Sequence, residues 1–578
     1  MNIFSITLLQ SKLLKGALSR GPQKLLFALF FVMAAGIQAQ NSGNAGPLQW
    51  QYDKETKKLT ISGQGAIPDY EEDAQPWAPF AREIKTAEVG EGVTMIGDNA
   101  FTYSLKMEKI SLPKTLTEIG YHAFYSCQKL ASVSIPATVK KIGDRAFQEC
   151  FELKEIEVDE NNANYSSLDG VLYNKKETLL IRYPAGKDED FTIPNTVTTI
   201  GDDAFSDCEA LLHVTIPNSV TRIGDYAFYK CVGLEEISIP ASVTSIGEGA
   251  LAGCSSLMGI VVDDKNPTYT SDEGILYSKD KTRLIQYPAG KEETDILVPE
   301  GVKVIGIGAF VSPIHLKSVI LPDGLTTIEE DAFADGEALQ TVVIPASVTR
   351  IGNRAFFASE ELLTAKIPEG IERIGDDVFN SCKAMTSIII PQSLKSVGRS
   401  AFEYCVSLGS ITLPAGVTSI GPKAFEGCFL LKTLVAQMPD PDRVMLGDDV
   451  FRHVPKDNTK NTFCQLYVPE GSKQKYEAAA QWKDFAPNNT QSVMAVNGAR
   501  RLIEISDTLP PHFQEYLTKV RCINLEKAMP FLKCISYEVR GRRYQAIGFA
   551  NLSGGYELRD NKTFKGTIAP KDITPIFT

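Results

Sequence analysis

Apolar positions recur along this chain with a period of 23 residues. One copy shows the pattern: Leu130, Val133, Ile135, then Val139, Ile142, Ala146 and Phe147. Leu130-Ala-Ser-Val133-Ser-Ile135 alternates and favours β-branched residues, which predicts a short strand. Pro136 has no N–H to give a ladder, so the strand stops there. Gly143 suits a turn with positive φ. Asp144 suits a helix N-cap, with Ala146 and Phe147 turned inward on a short helical turn. Burying such a Phe contributes roughly 1.5–3 kcal/mol. No single copy closes a core, so that gain exists only when copies stack.

The Ile-Gly pair, with minor variants, ends at Gly97, Gly120, Gly143, Gly201, Gly224, Gly247, Gly306, Glu329, Gly352, Gly375, Gly398 and Gly421. A fixed period in the twenties predicts a solenoid, in which each unit is buried only by its neighbours. Solenoids offer long surfaces, so binding is expected before catalysis. Two steps are longer, at 58 and 59 residues, and the two inserts are alike. Tyr165, Gly170, Tyr173 and Tyr183-Pro184 in one parallel Tyr269, Gly274, Tyr277 and Tyr287-Pro288 in the other. Each holds two apolar runs around a polar turn and is expected to form a hairpin extending the same sheet. The preceding Asp159-Glu160-Asn161-Asn162 and Asp263-Asp264-Lys265-Asn266 lack the alternating ligand spacing and late Glu of a calcium loop.

The full pattern, L-x-x-I-x-I-P-x-x-V-T-x-I-G-x-x-A-F-x-x-C, resembles the BspA-like (treponemal-type) leucine-rich repeat of bacterial surface proteins, over roughly residues 48–486. Ala-Phe follows the glycine by three residues in nearly every copy, at Phe101, Phe124, Phe147, Phe205, Phe228, Phe310, Phe333, Phe356, Phe402 and Phe425. Leu251 replaces the Phe once; Val378 and Val450 replace the Ala. The resemblance implies an α/β repeat solenoid: a right-handed superhelix with a parallel concave sheet and short helical turns on the convex side. Trp50 to Trp77 resembles the family's N-terminal cap, and Tyr467 to Phe485 its C-terminal cap. The expected organisation is a signal peptide at 1–39, an N-terminal cap and first strands at 40–96, and repeats at 97–446. Inserts lie at about 159–193 and 263–298. A last repeat and C-terminal cap follow at 447–486, a linker at 487–499 and a small α+β tail at 500–578.

The N-terminus places Lys12, Lys15, Arg20 and Lys24 before the apolar run Leu25 to Ala35 and the small Ala39. That order predicts a secretory signal peptide cleaved near Ala39 and a secreted or cell-surface protein. The apolar run is too short to span a membrane. Net charge is −12 and uneven. Residues 500–578 hold 13 Lys/Arg and 8 Asp/Glu, a net +5, and residues 1–39 add +4, so residues 40–499 carry −12 − 5 − 4 = −21. Such a body repels nucleic acid. Of the eleven cysteines, Cys127, Cys150, Cys208, Cys231, Cys254, Cys382, Cys405 and Cys428 share one slot, seven residues after the glycine position. Ser104, Pro313, Gly336 and Ser359 fill that slot elsewhere, so it reads as a small buried position holding reduced thiols rather than disulfides or zinc ligands.

Nothing in the chain spells catalysis. The five histidines, His122, His213, His315, His453 and His512, have no metal-ligand spacing, and no Walker motif or nucleophile elbow occurs. No catalytic residue, metal or cofactor is expected. Asp202-Asp203 and Asp376-Asp377 read as solvated faces and helix caps. The tail, from Leu509-Pro-Pro through Tyr537, Arg542-Arg543-Tyr544 and Arg559 to Asp572, resembles the segment preceding the Toprim core in primase-like proteins of Bacteroidetes mobile elements. Arg542, Arg543 and Arg559 are its candidate phosphate contacts. The zinc module and Toprim acidic residues of that family are absent, so the resemblance implies a fusion remnant. A nucleic-acid protein defined by this tail is the alternative, which nucleic-acid exclusion by the acidic body disfavours.

The expected function is capture of a protein partner through the concave sheet, and the family resemblance implies adhesion or binding of a host extracellular-matrix or epithelial protein. A self-associating surface structural protein is the other alternative. Side chains alternate along a strand, so the residue between the two inward positions faces out. That column reads Ser111, Ser134, Glu157, Thr215, Ser238, Val261, Ile320, Val343, Lys366, Ile389, Thr412 and Val435. Val261, Ile320, Val343 and Ile389, with Lys366 among them, form an apolar strip expected to bind.

Overall fold

The computed structural model describes residues 41–187, 190–456, 463–485, 490–493, 532–539 and 542–549. The signal segment and most of the tail, Arg559 included, lie outside them. Two compact units are present: one of residues 1–188 with 203–209, and one of residues 189–202 with 210–578. The first unit opens with the antiparallel strands Ser42–Ala45, Leu48–Asp53 and Lys58–Ser62, continued in parallel by Thr86–Val89 and Lys109–Ser111. In the second unit a nine-stranded, all-parallel sheet runs through Asp295–Leu297, Ser318–Ile320, Thr341–Val343, Thr364–Lys366, Ser387–Ile389, Ser410–Leu413, Thr433–Ala436, Gln465–Pro469 and Thr490–Val493. Each repeat adds a second, two-residue strand at the residues before its glycine, such as Glu118–Ile119 and Lys141–Ile142, and these form a separate parallel ladder. The chain is therefore a parallel β-solenoid of the leucine-rich-repeat kind.

The turn after the glycine differs from expectation. It is a chain of tight turns rather than a helical one; among the described residues α-helix is confined to Ala78–Ala81 and Lys473–Ala478. Arg145 and Glu149 adopt left-handed φ values of 58° and 57°, which interrupt helical winding. Turn instead pairs with turn: Phe124 N–H donates to Ala146 O at 2.9 Å and Ser126 N–H to Gln148 O at 2.9 Å. Asp144 accordingly caps no helix; its carbonyl accepts the His122 N–H. The glycine is needed for a different reason from the one expected. Gly143 is not left-handed, but a Cβ there would sit 2.5 Å from the Gly120 carbonyl carbon of the preceding turn.

The Phe of each turn stacks on the Phe of the next. In the first unit Phe101, Phe124 and Phe147 lie 5.5 and 5.4 Å apart. In the second, Phe310, Phe333, Phe356, Phe379, Phe402, Phe425 and Phe451 form one column with spacings of 4.9–5.8 Å. All are buried. Each column ends on larger rings. Trp77 covers Phe101 at 5.9 Å and donates its indole N–H to Ala100 O, while Trp482 and Phe485 cover Phe451 at 4.8 and 5.3 Å.

The inserts are three-stranded meanders, Tyr165–Leu168, Val171–Asn174, Leu179–Arg182 and Tyr269–Asp272, Ile275–Ser278, Arg283–Gln286. They do not extend the long-strand sheet as expected. Arg283–Gln286 pairs with Val304–Ile305, so the second insert joins the two-residue ladder instead. Tyr287 then takes the Phe position and stacks on Phe310 at 5.2 Å. The long-strand sheet stops at Gly259–Val262, whose edge the insert covers: Ile260 N–H donates to Gly274 O and Val262 N–H to Ser271 Oγ.

Replacing a stacked ring should cost far more than replacing an exposed one. Phe402→Ala is expected to lower stability by about 3–5 kcal/mol, and Phe429→Ala, half exposed, by about 0.5 kcal/mol or less. Urea unfolding of both variants decides; equal losses would refute the stacked column as the source of stability. By the same measure Trp482→Ala should destabilise strongly, while deleting residues 500–578 should leave the transition unchanged.

Candidate functional site

Register puts the outward side chains of the nine-stranded sheet into two columns. One is Leu297, Ile320, Val343, Lys366, Ile389, Thr412, Val435 and Tyr467. Pairing aligns Leu297 with Ile320 and Ile320 with Val343, Lys366 with Ile389, and Thr412 with Val435 and Tyr467. Leu297 and Ile389 are each 38 % exposed, Lys366 is exposed, and Ile320 and Val343 are half-buried and outside the core cluster. The other column lies two residues earlier on each strand: Ser318, Thr341, Thr364, Ser387, Ser410 and Thr433. Six consecutive hydroxyls thus flank the apolar column at the strand spacing of about 4.8 Å. Ser387 is buried on this face and its Oγ has no partner.

Four of the five expected strip residues, Ile320, Val343, Lys366 and Ile389, come together here. Val261 does not. It is 49 % exposed but sits on Gly259–Val262, the last strand of a separate four-stranded sheet, with the second insert beyond it. Leu297 and Tyr467 belong to the strip but escaped the sequence reading, because neither is preceded by the regular Ala-Phe turn. The hydroxyl column lies in the same 23-residue frame, two residues upstream. In the first unit the corresponding face is polar; Ser134 Oγ donates to Glu157 at 3.1 Å. Arg542 and Arg543 lie on a strand, Arg542–Phe549, that pairs antiparallel with Leu532–Val539.

The polar residues that invited chemical readings are used by the backbone. Asn162 donates Nδ2 hydrogens to Pro136 O and Val139 O and accepts the Asn164 and Tyr165 amides; Asn266 repeats this with Pro240, Val243, Thr268 and Tyr269. Asp159 and Asp263 accept amides two residues on. Asn162 and Asn266 are buried turn fasteners, while Asp159 and Asp263 are exposed and hold their own loops. Among the described residues no group of three or more His, Cys, Asp or Glu is arranged to hold a metal. Asp202 and Asp376 cap the next turn rather than a helix, accepting the Asp225 and Arg399 amides. His122 is stacked between Tyr121 and Tyr125, and burial followed by the nearby Arg145 pushes its pKa down to about 4. It stays neutral near neutral pH and has no nucleophile to serve.

The shared cysteine slot has a definite geometry. Cys127, Cys150, Cys254, Cys382, Cys405 and Cys428 each donate their thiol, at 3.1–3.3 Å, to the carbonyl of the Phe one turn back. Ser359 Oγ does the same to Phe333 O at 2.7 Å. The slot therefore accepts a small donor, which explains Ser and Cys interchange, although Gly336 and Pro313 fill it without one. The nine cysteines from Cys127 to Cys464 are buried and form no disulfide. Burial pushes Cys150 and Cys254 up to about 12.

These features define a leucine-rich-repeat solenoid whose outward sheet face carries an apolar column beside a hydroxyl column. The family model for the BspA type leucine rich repeat region matches residues 81–174, 185–289 and 289–405, and the chain belongs to that family. It is accordingly a protein-interaction repeat protein. Residues 502–569 match a family described as a domain of unknown function, DUF8464, so the primase-like resemblance of the tail is not shown. No curated protein matches. A leucine-rich repeat protein of Eubacterium ventriosum is 30 % identical over 55 % of this chain and 94 % of its own, with a TM-score of 0.37. A leucine rich cell surface protein of Faecalibacterium prausnitzii is 26 % identical over 68 % and 94 %, TM-score 0.38. The pneumococcal vaccine antigen PcpA is 18 % identical over 78 % and 96 %, TM-score 0.37. Among the described residues no helix is long and apolar enough to cross a membrane.

The raised thiol pKa values give a signed pH dependence. Thiols held at about 12 in the fold, against 9.0 for the free group, bind protons more tightly when folded. Their contribution is complete below pH 9 and lost as pH rises from 9 towards 12. Urea midpoints should therefore fall between pH 8.5 and 10 by more in the wild type than in Cys150→Ser/Cys254→Ser. Equal falls would place those thiols in water. Native protein should show no thiol labelling at pH 8 and full labelling after denaturation, with or without reductant.

Proposed function

We propose that this is an exported cell-surface or secreted repeat protein that captures a protein partner on the outward face of the nine-stranded sheet, in adhesion or host interaction. The observation that carries the reading is the column Leu297, Ile320, Val343 and Ile389, exposed or half-exposed on a sheet face with nothing over it among the described residues. A soluble fold gains nothing by leaving β-branched side chains in water, so a row of them marks a contact surface. The flanking hydroxyls supply hydrogen bonds, which fix register where apolar contact alone would slide. Lys366, exposed amid the strip, favours a partner with a carboxylate opposite it. The basic-then-apolar N-terminus supports export. An extracellular-matrix or epithelial protein is the partner proposed, and the tail is read as a fusion remnant without a role in capture.

Ile320→Glu with Val343→Glu tests the reading. Neither residue is in the core cluster, so the double variant should keep the wild-type melting transition. Capture from a panel of purified extracellular-matrix and epithelial surface proteins should be lost. Unchanged capture would move the site off this face. Light scattering of the wild type across concentration should show a monomer; growth with concentration that Ile320→Glu/Val343→Glu abolishes would instead make the strip a self-association face.

A further inference from the structure

The two-residue ladder of the second unit breaks between Arg350–Ile351 and Arg373–Ile374. At the neighbouring steps each turn donates two or three amides to the turn before. Thr326 and Thr327 donate to Lys303 O and Glu329 to Ile305 O; Lys395 and Ser396 donate to Glu372 O and Gly398 to Ile374 O. The strands Arg350–Ile351 and Arg373–Ile374 are not paired, and the ladder is split there into two sheets. Among the described residues the amides of Glu372, Arg373 and Gly375 have no acceptor, and the carbonyls of Thr349 and Ile351 receive no donor. The turns remain joined behind the gap, where Arg354 N–H reaches Asp376 O and Phe356 N–H reaches Val378 O. The solenoid thus opens on one side only.

A groove of about 740 Å³ lies over this gap. Its wall includes Ile351, Gly352 and Gly370. Ile351 is half-exposed, whereas the matching Ile328 and Ile374 are buried. Gly370, at φ +94°, has open space where a side chain would stand, so the backbone on that wall is accessible. Unpaired strand edges take up other chains by adding a strand. Of the charged groups lining the groove, Glu329 is held by Arg283, Glu372 by Lys395 and Arg373 by Asp376. Glu248, Glu330 and Arg350 make no ion pair. The free charge is net acidic, on a body that carries −21.

We propose that this gap is a second binding site, which takes an extended basic peptide segment of another protein by hydrogen bonding to the free backbone edges. Backbone pairing supplies the main attraction, and the Glu248 and Glu330 carboxylates select basic side chains. The site is independent of the outward face of the nine-stranded sheet, because it uses the other ladder.

The test uses the full chain and a synthetic decapeptide of five Lys-Thr pairs, with two controls: five Glu-Thr pairs, and the Lys-Thr peptide N-methylated at alternate residues. Residue-level hydrogen exchange is read first without peptide. The amides of Glu372, Arg373 and Gly375 should exchange at least about tenfold faster than their counterparts Thr326, Thr327 and Glu329. The Lys-Thr peptide should slow the first three by about tenfold, and neither control should. Glu330→Lys should weaken binding of the Lys-Thr peptide, and Arg350→Glu should strengthen it; both side chains are exposed or at the groove wall, so folding is checked by melting. Equal exchange at the two sets of amides in the free chain would overturn the proposal, since the ladder would then be closed. Equal binding of the N-methylated peptide would overturn it too, by reducing the contact to charge. Protection falling on residues 318–320 and 341–343, and lost in Ile320→Glu/Val343→Glu, would assign the peptide to the outward face instead.

Discussion

No turn of this chain can bury its own phenylalanine. A ring such as Phe356 is covered on one side by Phe333 at 5.2 Å and on the other by Phe379 at 5.3 Å, both nearly parallel to it. Everything else follows from keeping that spacing. Rings stacked about 5 Å apart match strands about 4.8 Å apart, so sheet pairing and aromatic stacking impose the same rise. A turn that thickened by one methyl group would break both. That is why a Cβ at Gly143 has no room beside Gly120. It is also why the ends need Trp77 and Trp482, whose larger surfaces cover a last ring that has no neighbour.

The polar groups obey the same rule one turn at a time. Thiols donate to the carbonyl one turn back, Asp98 accepts the Tyr121 amide one turn on, and Asn162 and Asn266 fasten the inserts to the turn preceding them. A buried donor or acceptor left alone would cost about 1–3 kcal/mol. In a solenoid that cost would recur in every copy, so most slots keep a residue that can bond its neighbour. The Ser359 hydroxyl in a cysteine slot shows that sulfur is not required.

Much of this was legible in the sequence because the period fixes position. The strands, the inward Ala-Phe, the cysteine slot and the two homologous inserts all follow from residues that recur at 23. What failed to show was anything decided by the neighbouring turn rather than by the local segment. Gly143 looks like a positive-φ turn residue in isolation; only the approach of Gly120 shows that bulk, not φ, is the constraint. Asp144 looks like a helix cap, but Arg145 and Glu149 carry the left-handed conformations, and no short-range rule marks those residues. The inserts read as hairpins, yet which ladder they join depends on Tyr287 reaching the phenylalanine column. For the candidate site, alternation gave the outward column from Ile320 to Val435. It did not reveal that the second insert ends one sheet at Val262, which detaches Val261.

Regularity and recognition pull against each other in such a fold. A perfect repeat satisfies every edge with the next copy and leaves no backbone to offer. Sites therefore arise in two ways. On the outward face they arise from side chains alone, because outward positions are free to vary while inward ones are not; Lys366 among Val343 and Ile389 is such variation. At the ladder they arise only where a step is missed. The first kind of missed step is filled by the chain itself, as when Ser271 and Gly274 cover the edge at Ile260 and Val262. The second kind, between Ile351 and Ile374, stays open because the aromatic column behind it, Phe356 on Phe379, is unbroken and holds the two turns at their proper rise. An opening backed by an intact stack leaves the two turns joined while main-chain groups of the short ladder go unpaired with the next copy of the repeat.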